Sequence, residues 1–348
     1  MGDKVLINRV YKPYLSAIQK EISIESKDSV QVPDYSRCID IHPIINGYIN
    51  KEVGKVDSGI ESDWFKILPG IIGKRFNGLS LGTGTGRHQI MLVNLGIVGE
   101  WNSIDLVLNR GELFNFDKKD KIHEFENDLN FIELPKETYD IIFCHGLLHH
   151  IINLESLLFQ VNKALTKNGV FIIQDYIGED QWQWSDQKLS LINRFLSNNF
   201  NSIYQNRQIF KFNWNNLRDS RPLESIRSSE IPAIINKIFT ENIFEYTSFP
   251  ILYPIINSMP SEVLDYLLSD THLLNDFLNK VVEFDKEVRT DNKNILPCLQ
   301  IGIFKKNIDL QEISVNKWSN TKLRKKLMPD FSYRFPRIVY RKIRSQLK

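Results

Sequence analysis

Three glycines at alternate positions, Gly82, Gly84 and Gly86, lie in the stretch LSLGTGTGRHQI (79–90). Glycines so spaced let a loop backbone press close against a nucleotide. Downstream come single aspartates, Asp105 in EWNSIDLV and Asp128 in FENDLN. A histidine-rich segment follows, CHGLLHHI, with His145, His149 and His150. Asp175 stands in IIQDYIG, just ahead of Trp182 and Trp184 in DQWQW. One carboxylate can accept from two neighbouring hydroxyls, and a histidine titrating near neutral pH can serve as a general base. The residues therefore suit a nucleoside ligand beside a proton-transfer site.

A dinucleotide site needs G-x-G-x-x-G, with the last glycine allowing tight helix–strand packing. Counting from Gly82, that position holds Arg87. No G-K-[S/T] follows, which excludes a P-loop. What remains is G-x-G-x-G, a loop that approaches a small ligand without cradling a pyrophosphate. By itself the pentapeptide also fits a plain turn.

The elements that would position these groups alternate. GLSL (78–81) reads as a strand running into the glycine loop, and HQIMLVNLG (88–96) as a helix stopped by Gly96. EWNSIDLV (100–107) and KIHEFEND (121–128) read as strands, with Asp105 and Asp128 near their ends. YDIIFC (139–144) is an apolar run of the kind buried on both faces. A helix follows over 154–165, with Asn153 as N-cap and Asn168-Gly169 as its stop. GVFIIQDY (169–176), NIFEYTSF (242–249) and LQIGIFKK (299–306) complete the strands, with helical character over 62–72 and 261–287. Such alternation predicts an α/β fold, a doubly wound and mostly parallel sheet. The organisation read from the chain is a helical segment over 1–77, a ligand-binding domain over 78–306 with a helical cap at about 177–240, and a tail over 307–348.

The chain has 348 residues, of which 42% are hydrophobic and 25% charged, ordinary for a folded protein. Cys38, Cys144 and Cys298 are far apart and form no CxxC pair, so neither a disulfide framework nor a structural zinc site is indicated. No long apolar run or signal-peptide core is seen, and the expected location is the cytoplasm. The net charge of +2 hides an asymmetry. Residues 317–348 hold eleven Lys or Arg against the single acid Asp330, while the rest of the chain carries 33 basic and 41 acidic residues. An acidic body with a basic tail suggests that the tail meets an anionic surface. The acidic body, without any RNA-binding module, argues against nucleic acid.

The glycine loop, Asp105, Asp128, YDIIFCHGLLHHI and ALTKNGVFIIQDY together resemble the class I S-adenosylmethionine-dependent methyltransferases over roughly 62–176, with strand-like echoes to about 306. The resemblance implies a seven-stranded sheet, its last strand antiparallel, with S-adenosylmethionine as cofactor. It implies that Gly82, Gly84 and Gly86 line the methionine and ribose, that Asp105 holds the ribose hydroxyls, and that Asp128 and Leu129 read the adenine edge. Ser80 departs from the family, whose members often carry an acid there. The residues after the fourth strand would face the methyl group. Here they are His145-Gly146-Leu147 rather than the Asn/Asp-Pro-Pro-aromatic sequence of base-amine methylating relatives.

This implies a hydroxyl acceptor with either His145 or Asp175 as base, although each also suits a packing or capping role. His149, Tyr176, Trp182 and Trp184 are the acceptor-contacting residues expected. His150 is expected to pack internally. His145 and His149 are spaced to share a metal on a helix that begins early, but the reading adopted has no metal. ESIRSSEIPAIINKIF (224–239) and HPIINGYINKEVG (42–54) are similar to stretches of a subgroup found among cell-surface glycan assembly proteins. That similarity implies a saccharide or glycolipid acceptor, association with glycan-assembly enzymes, and a basic tail resting on the inner face of the cytoplasmic membrane. Alternatives are a small metabolite or lipid acceptor, a non-catalytic cofactor-binding partner, or a nucleotide-sugar oxidoreductase. The last would need the glycine that Arg87 replaces and a Tyr-x-x-x-Lys pair.

Overall fold

A computed structural model describes residues 16–23, 42–54, 66, 68–84, 86–108, 121–204, 207–209, 221, 223–291 and 294–310. The expected basic tail at 317–348 lies outside these residues. Seven strands form one sheet: β1 (Arg75–Leu81), β2 (Val98–Asp105), β3 (Ile122–Glu126), β4 (Tyr139–His145), β5 (Leu165–Tyr176), β6 (Asn242–Ser248) and β7 (Leu299–Lys305). Their order is β3-β2-β1-β4-β5-β7-β6. Pairings among β1 to β5 are parallel, and β7 runs antiparallel to both β5 and β6. The doubly wound, seven-stranded sheet expected from the sequence is thus present, with its last strand reversed.

The helices, in chain order, are α1 (16–23), α2 (Pro43–Gly54), α3 (Leu68–Ile72), α4 (Arg87–Asn94), α5 (Leu154–Ala164), α6 (Asp186–Tyr204), α7 (Ile231–Ile238), α8 (Leu252–Asn257), α9 (Ser261–Leu268) and α10 (Thr271–Asp291). Successive side chains of a strand point to opposite faces. In β4, Ile141 and Phe143 enter one core with α2, α3, α4, α6 and α8–α10, whereas Ile142 and Cys144 enter the other with α5 and α7. Covering both faces is what makes YDIIFC continuously apolar. Each such fully buried side chain contributes about 1.5–3 kcal/mol. The helices of 42–72 belong to the sheet's own core through Ile45, Tyr48, Ile49 and Leu68. They are tied to α10 by the Tyr48 hydroxyl, which donates to Asp285 at 2.9 Å.

Two local expectations are corrected. Helix α5 stops at Ala164, and the chain is already in strand at Leu165, so Asn168-Gly169 does not end the helix. These residues lie in an irregularity of the β4–β5 pairing, where Leu165 faces Tyr139 and the register resumes at Val170 opposite Ile141. There a Cβ on residue 169 would stand 3.0 Å from backbone atoms of Thr166 and Tyr139. Close backbone approach, rather than helix termination, explains this glycine. Asn153 occupies the N-cap position but makes no side-chain cap bond. Its amide instead donates to the Asn130 carbonyl at 3.0 Å, while Asn130 Oδ1 accepts from the N–H groups of Ile152 and Asn153.

Candidate functional site

The carboxyl ends of parallel strands are where an α/β sheet binds its ligands, at the point where strand order reverses. Here that point lies between β1 and β4, and the glycine loop springs from it. Gly82, Gly84 and Gly86 all have positive φ, of 76°, 51° and 82°. The Gly82 N–H donates to the Ile104 carbonyl at 2.8 Å, and that of Gly86 to Thr83 at 3.0 Å, so the loop turns tightly off the strand. A side chain at 82 would also meet Leu147 at 3.3 Å, whereas Gly84 faces open space. Arg87, which interrupts the dinucleotide pattern, is the first helical residue of α4 and exposed, so its bulk meets no obstacle.

Asp105 ends β2 and holds the loop from below. Its Oδ2 accepts from the N–H groups of Thr83 (2.6 Å) and Gly84 (3.1 Å), and its Oδ1 from Leu106 at 2.6 Å. Asp128 closes a small turn by accepting from the Asn130 backbone at 3.0 Å. Asp105, Asp128 and Leu129 line one cleft together with Ile18 and Glu21 of α1, Leu147 and His150. The expected ribose and adenine residues are therefore brought together. The contribution of α1 was not foreseen, because nothing in its sequence points to a ligand.

An adenosyl ligand fits this donor and acceptor set. A carboxylate stands at the strand end, a second polar turn stands beside the apolar Leu129, and the open backbone of Gly84 adjoins Asp105. Ser80, where relatives often carry an acid, is fully buried, and its hydroxyl has no partner among the described residues.

His145 ends β4 on the face of Phe143 and stacks on His88, with ring centroids 4.0 Å apart. Burial, with the neighbouring His149 charge, pushes its pKa down to about 4 against the pull of Asp175. The imidazole is accordingly neutral at pH 7, and so is His88, whose pKa burial and His145 depress well below the usual range. His88 sits in the first turn of α4. Its only sequence signal was its place directly after the loop.

Asp175 takes the capping role rather than an open position before an acceptor. Its side chain is fully buried. Oδ2 accepts from the N–H groups of Leu147 (2.8 Å) and Leu148 (2.7 Å), and Oδ1 from His149 Nδ1 at 2.7 Å. Burial would raise its pKa, but the His149 charge and these hydrogen bonds hold it below the ordinary carboxylate value. A carboxylate so engaged is a poor proton acceptor. It instead fixes the turn that carries Leu147, His149 and His150. On the far side His149 Nε2 stands 3.5 Å from Glu224 Oε1. Burial alone would lower the His149 pKa, yet Asp175 and Glu224 together lift it to about 10.

Glu224 and Arg227 were present in the ESIRSSEI stretch but had not been assigned to the site. Arg227 is 1% exposed, bonds both oxygens of Glu155 at 2.8 Å, and reaches Glu230 and the Ile152 carbonyl. It pins the 223–230 segment against α5. Two expected acceptor contacts are corrected. Trp184 is fully buried, and its N–H donates to the Tyr176 hydroxyl at 3.3 Å, while Tyr176 is itself buried against Glu179. Both are core residues beneath the cap. Trp182 is partly buried against the first core, in a short turn where it and Gln181 have positive φ. His145 and His149 share no helix, because His145 belongs to β4 and the turn 148–150 begins afresh.

A family model described as a methyltransferase domain matches residues 57–212. Over these residues the chain carries a methyltransferase domain. No curated protein matches the chain. Among solved structures, this methyltransferase is similar to an S-adenosylmethionine-dependent methyltransferase from Mesorhizobium loti. That pair shares 15% identity over 72% of this chain and 99% of the other, at a TM-score of 0.42. Phosphoethanolamine N-methyltransferase 2 of Haemonchus contortus, in complex with S-adenosyl-L-methionine, matches at 15% identity over 76% and 56%, TM-score 0.40. Geranyl diphosphate C-methyltransferase of Streptomyces coelicolor A3(2) matches at 9% identity over 71% and 77%, TM-score 0.44. Among the described residues, no helix of the methyltransferase is long and apolar enough to cross a membrane.

Proposed function

We propose that this methyltransferase methylates a hydroxyl oxygen, and that the hydroxyl belongs to a saccharide or glycolipid. The observation that carries the oxygen acceptor is His145, a neutral imidazole at the end of β4 braced by the His88 ring. S-adenosylmethionine, when bound, supplies an electrophilic methyl group on a sulfonium. The residues that would hold it are the loop glycines, Asp105, Asp128 and Leu129. With the cofactor so held, an acceptor oxygen needs only placement about 3 Å from the methyl carbon and a base for its proton. His145 takes that proton as the C–O bond forms and the oxygen becomes strongly acidic, and His88 keeps the ring in place. The saccharide class rests on the likeness of residues 42–54 and 224–239 to sequences of the glycan-assembly subgroup. On the same reading the tail at 317–348 docks on an anionic membrane, at about 1 kcal/mol per basic residue near the surface.

The decisive assay incubates the full chain with S-adenosylmethionine and cell-surface glycan fractions, and follows S-adenosylhomocysteine and methylated sugar. Turnover restricted to small amines or free lipids would replace the saccharide reading. Removal of 317–348 is expected to abolish sedimentation with anionic liposomes, and unchanged sedimentation would refute the docking.

A further inference from the structure

Three side chains at the edge of the cofactor cleft, on two segments far apart in sequence, converge without a part in the proton transfer assigned to His145. His149 and His150 come from the turn after β4, and Glu224 from the segment before α7. One ligand atom of each lies within 4.8 Å of the others. We propose that His149, His150 and Glu224 form a binding site for a divalent transition-metal ion of the zinc class.

The spacing favours an ion over direct bonds. His149 Nε2 to Glu224 Oε1 is 3.5 Å, and His150 Nε2 to Oε2 is 4.0 Å, both long for hydrogen bonds. Tetrahedral zinc with bonds of about 2.0–2.1 Å holds neighbouring ligand atoms roughly 3.4 Å apart. The His149–Glu224 pair has this separation already, while His150 Nε2, 4.0 Å from the other Glu224 oxygen, must close in to complete the set.

The surroundings have the form of a ligand shell. A metal-binding histidine commonly gives its second ring nitrogen to a carboxylate, which fixes tautomer and orientation. His149 does this through Nδ1 to Asp175 at 2.7 Å, leaving Nε2 aimed at Glu224, and the incoming metal ion displaces the proton that Nε2 otherwise shares with that carboxylate. Asp175 is in turn fixed by the N–H groups of Leu147 and Leu148. Exposures of 12% for His149 and 6% for Glu224 keep the pair screened from water, while His150 at 29% opens onto the cleft. Two charged neighbours must be accommodated. Arg221 stands 3.7 Å from Glu224 Oε2 and is half exposed, so its charge is partly solvated. Glu21 accepts from the Leu223 N–H at 3.2 Å and adds negative charge to the cleft, which favours a cation. Imidazole and carboxylate donors suit zinc and its neighbours, and three protein ligands leave a position for water or an acceptor oxygen.

The test uses the full chain, stripped with chelator and dialysed, then titrated with Zn²⁺ by calorimetry and with Co²⁺ by visible absorption. One equivalent of each is expected, with the intense visible bands of tetrahedral Co²⁺. Glu224→Gln and His150→Ala should each weaken binding at least about tenfold. His150→Ala, at a partly exposed ring, decides the matter if Glu224→Gln unfolds. Absence of stoichiometric uptake would overturn the proposal, as would unchanged affinity in His150→Ala or thiolate charge-transfer bands from cysteine ligation. Because binding is read without turnover, failure here leaves the methyl-transfer reading untouched, and the reverse holds too.

Discussion

Replacing Asp105 by Asn removes one acceptor oxygen and adds two hydrogens at almost unchanged volume. In the native site both oxygens are committed, Oδ2 to Thr83 and Gly84 and Oδ1 to Leu106. If the amide oxygen takes the Oδ2 place, the two loop bonds survive but the NH₂ faces the Leu106 N–H at the 2.6 Å contact, donor against donor. If it takes the Oδ1 place, both loop N–H groups are orphaned. Either rotamer forfeits at least one hydrogen bond to a charged acceptor, worth about 1.5–3 kcal/mol. The ribose loses a charged acceptor as well. The internal loss appears as lower stability, and the ribose contact, a hydrogen bond to a charged group worth about 1.5–3 kcal/mol, sets the expected fall in cofactor affinity at roughly 10- to 150-fold. Calorimetric titration of wild type and Asp105→Asn with S-adenosylhomocysteine measures this directly. A thermal melt without ligand separates loop destabilisation from lost contact. An Asp105→Asn affinity within threefold of wild type would refute the assignment of this carboxylate to the ribose and loop.

His145→Ala is expected to abolish turnover while leaving S-adenosylhomocysteine affinity within about twofold, and substantial residual activity would end its candidacy as base. Because burial holds the His145 pKa near 4, it stays deprotonated until the pH falls through that value. Initial rates should therefore be level from neutrality down to about pH 5, and an acid limb centred near the free-histidine value of roughly 6.5 would contradict this. Arg227→Met strands Glu155, itself 2% exposed, and should lower stability by about 3–5 kcal/mol in urea unfolding. A loss under about 1 kcal/mol would show that the pair matters little. Gly82→Ala combines positive φ with the 3.3 Å approach to Leu147, so a destabilisation of at least about 1 kcal/mol is expected, and a neutral result would show that the loop yields easily.

All seven strands were legible, and β4, β5 and β7 were so because each holds an apolar run closed by polar residues, a signal that local sequence carries by itself. The cofactor side was legible for the related reason that Asp105 and Asp128 close their strands in sequence as they do in space. Capping chemistry was less so. Asn153 has the side chain of an N-cap, yet the Asn130 backbone competes for its amide, and only tertiary structure decides between them. Trp184 and Tyr176 looked like acceptor contacts because of their place after the fifth strand, but the Trp184 N–H is taken up by the Tyr176 hydroxyl, which in turn donates to the Glu179 carbonyl inside the core. For Asp175 the sequence left base and cap both open, since a strand-end position does not disclose the three N–H groups of 147–149 waiting for it. Glu224 and His88 were missed as site residues because their partners, His149 and His145, are brought to them only by folding.

The place of β7 has a consequence for biosynthesis. Residues 242–248 are made well before 299–305, yet β6 touches the sheet only through β7. While the ribosome translates α8 to α10, the growing polypeptide holds β5 with one open edge and β6 as an orphan ribbon. Both are unpaired backbone of the kind that invites aggregation. Residues 299–305 then slot between them and seal both edges in one step. A stall or nonsense codon just upstream of Leu299 would thus leave a product with its cofactor loop complete and its sheet unsealed, a natural client for chaperones.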